Sequence, residues 1–169
     1  MPTRRHALVE LVGRIGAPLA TLIPFLSSAE AEAASKASDS AWRLSEKEWK
    51  KRLTPAAYQV LRKEGTEPPF SSPLNKEKRK GTYVCAGCRL PLFASSAKYD
   101  SGTGWPSFWQ PLPNAIGTKT DFKLILPRTE YHCRRCGGHQ GHVFNDGPRP
   151  TGKRYCNNGV ALAFVPSSS

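Results

Sequence analysis

The sequence predicts a mainly β domain of the α+β class, with two short N-terminal helices packed on a small antiparallel β-sheet domain held by a four-cysteine zinc site. Three observations predict it. Two C-x-x-C pairs, Cys85-Ala86-Gly87-Cys88 and Cys133-Arg134-Arg135-Cys136, have the spacing of a tetrahedral four-thiolate site. After Gly81 the texture turns to short apolar runs broken by turn residues, whereas helix signals stand before it. Fifteen prolines and 14 glycines in 169 residues favour one turn-rich domain over a helical bundle.

Residues 1–33 are set apart from this domain. Thr3-Arg4-Arg5-His6-Ala7-Leu8 opens a moderately apolar stretch to Leu26, followed by Ser27-Ser28-Ala29-Glu30-Ala31-Glu32-Ala33 with its small-x-small cleavage sites. Basic, apolar, then A-x-A is the order of a secretory signal. The paired arginines after Thr3 and the weakly apolar core make it twin-arginine-like, which predicts a periplasmic destination. Ala7 and Val9 depart from that pattern. A mitochondrial transit peptide is the alternative, opposed by Glu10 and by the lack of serines before Ser27; an uncleaved amphipathic helix is a further reading. Twin-arginine export carries folded protein, so the metal would be loaded before the thiols meet an oxidising compartment. Residues 34–41 are small and polar and read as a linker, and nothing beyond residue 33 is long and apolar enough to span a membrane.

The domain is placed at 42–166, with 167–169 as a tail. Ser45-Glu46-Lys47-Glu48 is a capping box that starts a first helix, with Trp42, Trp49 and Leu53 as its apolar contacts. Thr54-Pro55 starts a second, on which Tyr58 and Leu61 share a face and which Gly65 closes. Residues 67–80 form an irregular connection. Strands are predicted at Thr82–Cys85, Phe122–Leu126, Glu130–Cys133, His142–Phe144, Arg154–Cys156 and Val160–Val165, with turns at Gly137-Gly138, Asp146-Gly147-Pro148 and Thr151-Gly152.

Two C-x-x-C knuckles 44 residues apart (89–132) would let one metal pin distant hairpins. Gly87 and Gly137 suit tight knuckles. Four thiolates leave no open coordination position, which argues against zinc-assisted hydrolysis. Two strained disulfides are the weaker alternative.

The fifth cysteine, Cys156, has no cysteine left to pair with. A lone cysteine is ordinarily an inert small hydrophobe. Here Arg154 lies two residues before it on the same strand face and favours the thiolate. Gly138-His139-Gln140-Gly141-His142 brings two histidines close, with Asp146 behind to orient or charge one of them. Ser101-Gly102-Thr103-Gly104-Trp105-Pro106-Ser107-Phe108-Trp109 is an aromatic run able to wall a pocket. Thiolate, imidazole and aromatic wall are the parts of a nucleophilic site. Core histidines, a packing Trp105 and a hairpin turn at Asn157-Asn158-Gly159 are the plainer readings of the same residues.

The net charge of +12 is carried entirely beyond residue 33, because Arg4, Arg5 and Arg14 balance Glu10, Glu30 and Glu32. A metal-bound thiolate cluster would lower it to about +10. Such a charge suits nucleic acid or acidic clients. The basic residues are scattered, as in Lys76–Lys80 and Arg134-Arg135, and make no binding stripe. The alternative they suggest is a basic four-cysteine zinc-ribbon nucleic-acid binder, which has no use for Cys156 or for an export signal.

These segments together resemble the B class of methionine sulfoxide reductases. The resemblance runs from Trp49–Pro55 through Gly65–Phe70, Gly102–Phe108, Gly137–Phe144 and Asp146-Gly147-Pro148 to Arg154-Tyr155-Cys156. It implies a domain that reduces methionine-R-sulfoxide, free or in proteins. Cys156 matches the family nucleophile and His142 the acid on the sulfoxide oxygen, with His139 and Asp146 supporting the network. Arg154 matches the thiolate stabiliser, Trp105 the indole that receives the methyl group, and Asn158 a polar residue that helps hold the substrate oxygen. Cys85, Cys88, Cys133 and Cys136 remain assigned to zinc by their spacing.

One departure matters. Many family members carry a resolving cysteine where this chain has Thr103, so the resulting sulfenic acid needs an external thiol, such as a thioredoxin-like protein, glutaredoxin or a small thiol. Gly159, where the family often has serine, is a smaller departure. The implied partners are therefore oxidised proteins and a thiol reductant, with no nucleic acid, and the protein is expected to be a monomer. Met1 is the chain's one methionine.

Overall fold

A computed structural model describes residues 40–123 and 126–168. The twin-arginine-like segment and nearly all of the linker lie outside the described residues. Helix α1 spans Glu46–Arg52. Its capping box forms as the sequence predicts, with the Glu48 carboxylate accepting from the Ser45 N–H at 2.8 Å and Ser45 Oγ from the Glu48 N–H at 3.3 Å. Helix α2 spans Pro55–Lys63, and Thr54 Oγ1 accepts from the Ala57 N–H. Its end differs from expectation by one residue. Glu64 rather than Gly65 takes the left-handed conformation, at φ 54°, and its carboxylate is held by Lys119 and Lys123. No helix among the described residues is long and apolar enough to cross a membrane.

Nine strands follow: β1 Gly81–Cys85, β2 Pro91–Ala94, β3 Lys98–Tyr99, β4 Ser107–Phe108, β5 Ile116–Asp121, β6 Arg128–Cys133, β7 His139–Phe144, β8 Arg154–Asn157 and β9 Leu162–Pro166. They form two antiparallel sheets, one ordered β2-β1-β9 and the other β3-β4-β8-β7-β6-β5. Among the described residues the architecture is thus two α-helices on a mainly β body.

Two strand assignments need correction. The strand expected at Phe122–Leu126 is absent at Phe122, Lys123 and Leu126, and residues 124–125 lie outside the described residues. The alternating Phe122 and Leu126 imitate a strand, yet they are 73% and 77% exposed. The strand precedes them, as β5. Its Thr118, Lys119 and Thr120 are exposed on the sheet edge, so no apolar alternation marks it. Val160 belongs to a 3-10 turn at Gly159–Ala161, and β9 begins only at Leu162.

The core joins the sheets through aromatic rings. Tyr83 of β1, Phe93 of β2, Phe108 of β4 and Tyr131 of β6 are fully buried. Phe93 stacks on Phe108 with centroids 4.2 Å apart, Tyr83 meets Phe108 edge-on at 4.9 Å, and Tyr131 meets Tyr155 edge-on at 5.5 Å. Each such pair contributes about 0.5–1.5 kcal/mol beyond the area it buries. This rigid interior fixes β8, and with it Cys156.

Candidate active site and metal clamp

The two knuckles are built alike. Cys85 follows β1 into a turn in which its C=O accepts from the Arg89 N–H at 2.9 Å and its N–H donates to the Leu90 C=O at 2.9 Å. Cys133 does the same with Gly137 and Gly138, also at 2.9 Å each. The residue after the second cysteine is left-handed in both, Arg89 at φ 64° and Gly137 at φ 66°. Glycine therefore serves the turn at Gly137, whereas Gly87 is not the left-handed residue of the first knuckle.

The four Sγ atoms lie within 4.8 Å of one another. Cys85 and Cys136 approach to 3.7 Å and Cys88 and Cys133 to 3.4 Å. A tetrahedral thiolate site with metal–sulfur bonds near 2.3 Å has edges of about 3.8 Å. All five cysteines are unbridged, so the disulfide alternative is not what forms. The cluster is a candidate metal site with a fitting donor set.

The second site lies in one row of cross-strand neighbours on the six-stranded sheet. Tyr99, Ser107, Cys156, His142, Glu130 and Lys119 are directly paired in succession from β3 to β5. Directly opposed residues point to the same face, so the thiol and the imidazole emerge side by side. Gly141 permits this close pairing of β7 and β8, since a Cβ there would lie 1.9 Å from the Cys156 carbonyl oxygen.

His139 is three residues from His142, which in a regular strand would put it on the opposite face. A bulge changes that. Tyr131 pairs with Gly141 but His132 with His139, leaving Gln140 unmatched. Both imidazoles then share a face, their centroids 5.5 Å apart. The buried Gln140 donates from Nε2 towards Cys85 Sγ at 3.5 Å, tying the bulge to the metal clamp.

The partners of these histidines are not those the sequence suggested. His142 Nε2 lies 2.7 Å from Asp121 Oδ2, and His139 Nδ1 lies 2.7 Å from Glu130 Oε1. Asp146, expected to orient or charge a histidine, instead grips Arg154, accepting from Nε at 2.9 Å and Nη2 at 2.8 Å. Phe144 completes that arrangement beneath the guanidinium, 4.3 Å from its ring centroid. Asp121 and Glu130 were missed because neither the register from β5 to β7 nor the bulge in β7 can be counted along the chain. Their one signal was that they are two of only 13 acidic residues, Asp121 just before one predicted strand and Glu130 opening the next.

Burial pushes the Cys156 thiol up from its ordinary pKa, while Arg154 and the Thr103 hydroxyl pull it back. Arg154 thus acts in the expected direction, but desolvation outweighs it in the free protein. Burial likewise lowers His139 to about 4 and lowers His142, on which Asp121 alone among its hydrogen-bond partners acts upward.

A cleft of about 130 Å³ collects Cys156, His142, Trp105, Arg128, Phe144 and Asn158. Trp105 is held by donation from Nε1 to the Glu67 C=O at 3.0 Å. Asn158 accepts from the Glu67 N–H and donates to the Gln140 C=O, both at 2.9 Å, so its amide braces the cleft wall. A larger groove of about 650 Å³ beside Val60 and Leu74 is lined by no cysteine or histidine, and its Glu67 carboxylate is taken by the N–H groups of Gly159 and Val160.

Fold and site together define a β domain with a four-cysteine candidate metal site that presents one thiol beside two histidines and an indole. A family profile described as the SelR domain matches residues 53–166. The chain is 54% identical over 121 residues to a peptide methionine sulfoxide reductase MsrB of Leptospira interrogans, covering 71% of this chain and 92% of that one. It is 54% identical over 121 residues to the protein of that name from Methanosarcina barkeri, covering 71% and 85%. It is 56% identical over 120 residues to the chloroplastic peptide methionine sulfoxide reductase B1 of Arabidopsis thaliana, covering 70% and 59%. The chain belongs to the SelR-domain family, the peptide methionine sulfoxide reductases of class B.

Proposed function

We propose that this protein is a peptide-methionine (R)-S-oxide reductase with a single reactive cysteine. The observation that carries the reading is the direct pairing of Cys156 with His142 across β7 and β8, in a cleft walled by Trp105. The Cys156 thiolate attacks the sulfoxide sulfur. His142 delivers a proton to the sulfoxide oxygen, which is otherwise a poor leaving group. Oxygen passes to the cysteine: thiolate, sulfoxide and one proton give sulfenic acid and thioether, with two electrons moving from the cysteine to the substrate sulfur.

The ring of Trp105 receives the substrate methyl group, and a cleft of this size suits a methylsulfinyl tip, presented by free methionine sulfoxide or by a peptide. Arg154 stabilises the thiolate, His139 and Asp146 hold the surrounding network, and Asn158 helps position the substrate oxygen.

Thr103 stands beside the thiol, and the other four cysteines are gathered in the clamp. Two equivalents of an external thiol therefore discharge the sulfenic acid, giving water, a disulfide and the restored Cys156. The clamp ion is zinc, held by Cys85, Cys88, Cys133 and Cys136. It stabilises the knuckles and takes no part in the reaction. Residues 1–33 direct the protein to the periplasm, which N-terminal sequencing of the protein from its native compartment tests.

The test of activity is reduction of the separated R and S epimers of methionine sulfoxide with dithiothreitol. The R epimer is expected to turn over, and Cys156→Ser to abolish turnover. Metal-bound wild-type protein without stereoselective reduction would refute the assignment. In the absence of reductant, one equivalent of substrate should leave a dimedone-reactive sulfenic acid at Cys156.

A further inference from the structure

Asp121 ends the edge strand β5 and is nearly buried, with 9% exposure, although nothing in the chemistry of methionine reduction requires a second acid in the site. Its carboxylate is fully engaged. Oδ1 accepts from the Lys123 N–H at 2.9 Å, while Oδ2 accepts from Arg128 Nη2 at 2.7 Å and lies 2.7 Å from His142 Nε2. These donors hold Asp121 well below the usual carboxylate range. An ionised carboxylate has no proton to give. The His142 nitrogen facing it must therefore be the one that carries hydrogen. Nδ1 is left over: it has no hydrogen-bond partner among the described residues and is not among their buried unpaired atoms.

We propose that Asp121 is the positioning residue of the reaction, fixing His142 as the Nε2–H form so that Nδ1 is the atom that carries the transferable proton to the sulfoxide oxygen. This rests on His142 being the acid of the reductase reading above. Arg128 orients Asp121 and keeps it charged, so the unit is a chain from Arg128 through Asp121 to His142, ending at the cleft. A neutral imidazole so held takes a proton on Nδ1 and becomes an imidazolium that the carboxylate stabilises. Transfer of that proton to the substrate returns the Nε2–H form.

Every element around His142 contributes charge to the balance. Asp121 and Lys119 come from β5, with Lys123 just beyond it. Arg128 and Glu130 come from β6, His139 from β7, Cys156 and Arg154 from β8, and Glu64 from the end of α2. Glu130 is already divided between His139 and Lys119, and Glu64 between Lys119 and Lys123. Asp121 is the carboxylate in hydrogen-bond contact with His142.

The test uses the full, metal-loaded chain labelled with nitrogen-15 in histidine. Long-range proton–nitrogen correlation spectra across a pH titration report the His142 tautomer and its protonation. Wild type should show Nε2–H alone. Asp121→Asn should lower the pH at which His142 protonates and lower turnover on the R-sulfoxide about tenfold or more, moving the alkaline limb of the rate profile to lower pH. Iodoacetamide alkylation of Cys156, which needs no acid, should not change.

Equal loss of alkylation and turnover would mean general damage to the site and would overturn the proposal. So would an unshifted His142, or an Nδ1–H tautomer in wild type. Should Asp121→Asn fail to fold, Arg128→Met is read instead. Removing that cation should raise the His142 protonation midpoint with the tautomer kept, and no shift would again overturn the proposal. A wild-type protein with the expected tautomer but no sulfoxide reduction would refute the reductase reading and leave the Asp121–His142 arrangement standing.

Discussion

Asp146 and Arg154 meet in a two-point contact, 2.9 Å at Nε and 2.8 Å at Nη2, that turns the guanidinium towards Cys156 rather than charging a histidine. The Arg154 side chain is 10% exposed and Asp146 61%, so the pair is a buried cation held from the surface. The thiol is raised by burial and Arg154 opposes the rise. Removing Arg154 must therefore raise it further. Arg154→Met should move the pH midpoint of Cys156 alkylation up by about one unit, a roughly tenfold slower reaction below the midpoint. Stopped alkylation followed by mass spectrometry checks this, and a midpoint that stays or falls would contradict it. Asp146→Asn should have a smaller effect, because it both loosens Arg154 and removes an anion that disfavours the thiolate.

Thr103 occupies the contact a second thiol would need. Its hydroxyl favours the Cys156 thiolate and is itself held by Ser101 Oγ at 2.8 Å, which continues to Ser107 Oγ at 2.8 Å. Thr103→Cys should place a thiol within reach of the sulfenic sulfur, forming a disulfide with loss of water. After one turnover without reductant, mass spectrometry should find the 103–156 disulfide and no dimedone adduct. A persistent adduct would show that the loop holds residue 103 away from the bond-forming distance.

Most of what carried chemistry was legible in the chain because it resides in residue type and short spacing. The two C-x-x-C pairs, Cys156 with Arg154 two residues before it, and the capping box at Ser45 all depend on local geometry, and each stands where the sequence placed it. The partners were not legible. Asp121 reaches His142 only through a three-strand register, Glu130 reaches His139 only across the bulged β6–β7 pair, and the unmatched Gln140 decides which histidines share a face. The edge strand β5 escaped because its outward side chains are polar, and exposed Phe122 and Leu126 drew the assignment past its true end. Asp146 was assigned to a histidine by proximity in sequence, whereas the β7–β8 connection returns it to Arg154.

The two knuckles carry different residues at their shared left-handed position, Arg89 and Gly137, which gives opposite expectations for two substitutions. A left-handed backbone costs a residue with a side chain about 1–2 kcal/mol, whereas glycine adopts it freely. Gly137→Ala should thus destabilise the protein by about 1 kcal/mol or more. At Arg89 the strain is already present, so Arg89→Gly should be stabilising by up to about 1 kcal/mol, less the chain entropy glycine restores to the unfolded state. Denaturant midpoints of the metal-loaded proteins decide it. A loss of stability for both substitutions would show that Arg89 makes a contact worth more than its strain.

Metal removal should reach beyond the knuckles. Trp49 of α1 packs against the first, within 3.4 Å of where a Gly87 Cβ would lie, and Leu61 of α2 against the second, 2.9 Å from the equivalent position at Gly138. Gln140 joins Cys85 to the bulge that aligns the histidines. An emptied clamp leaves four buried thiols with no shared ion and frees both helices from their seat. Removing the metal with a strong chelator in mild denaturant should therefore abolish hydrogen-exchange protection in α1 and α2. Sulfoxide reduction should disappear in the same step, although no metal ligand touches substrate. Cys133→Ser should reproduce both losses. Retention of full turnover by metal-free protein would mean that the bulge and the aromatic core hold the histidines without the clamp, and that the four cysteines stabilise only the knuckles they belong to.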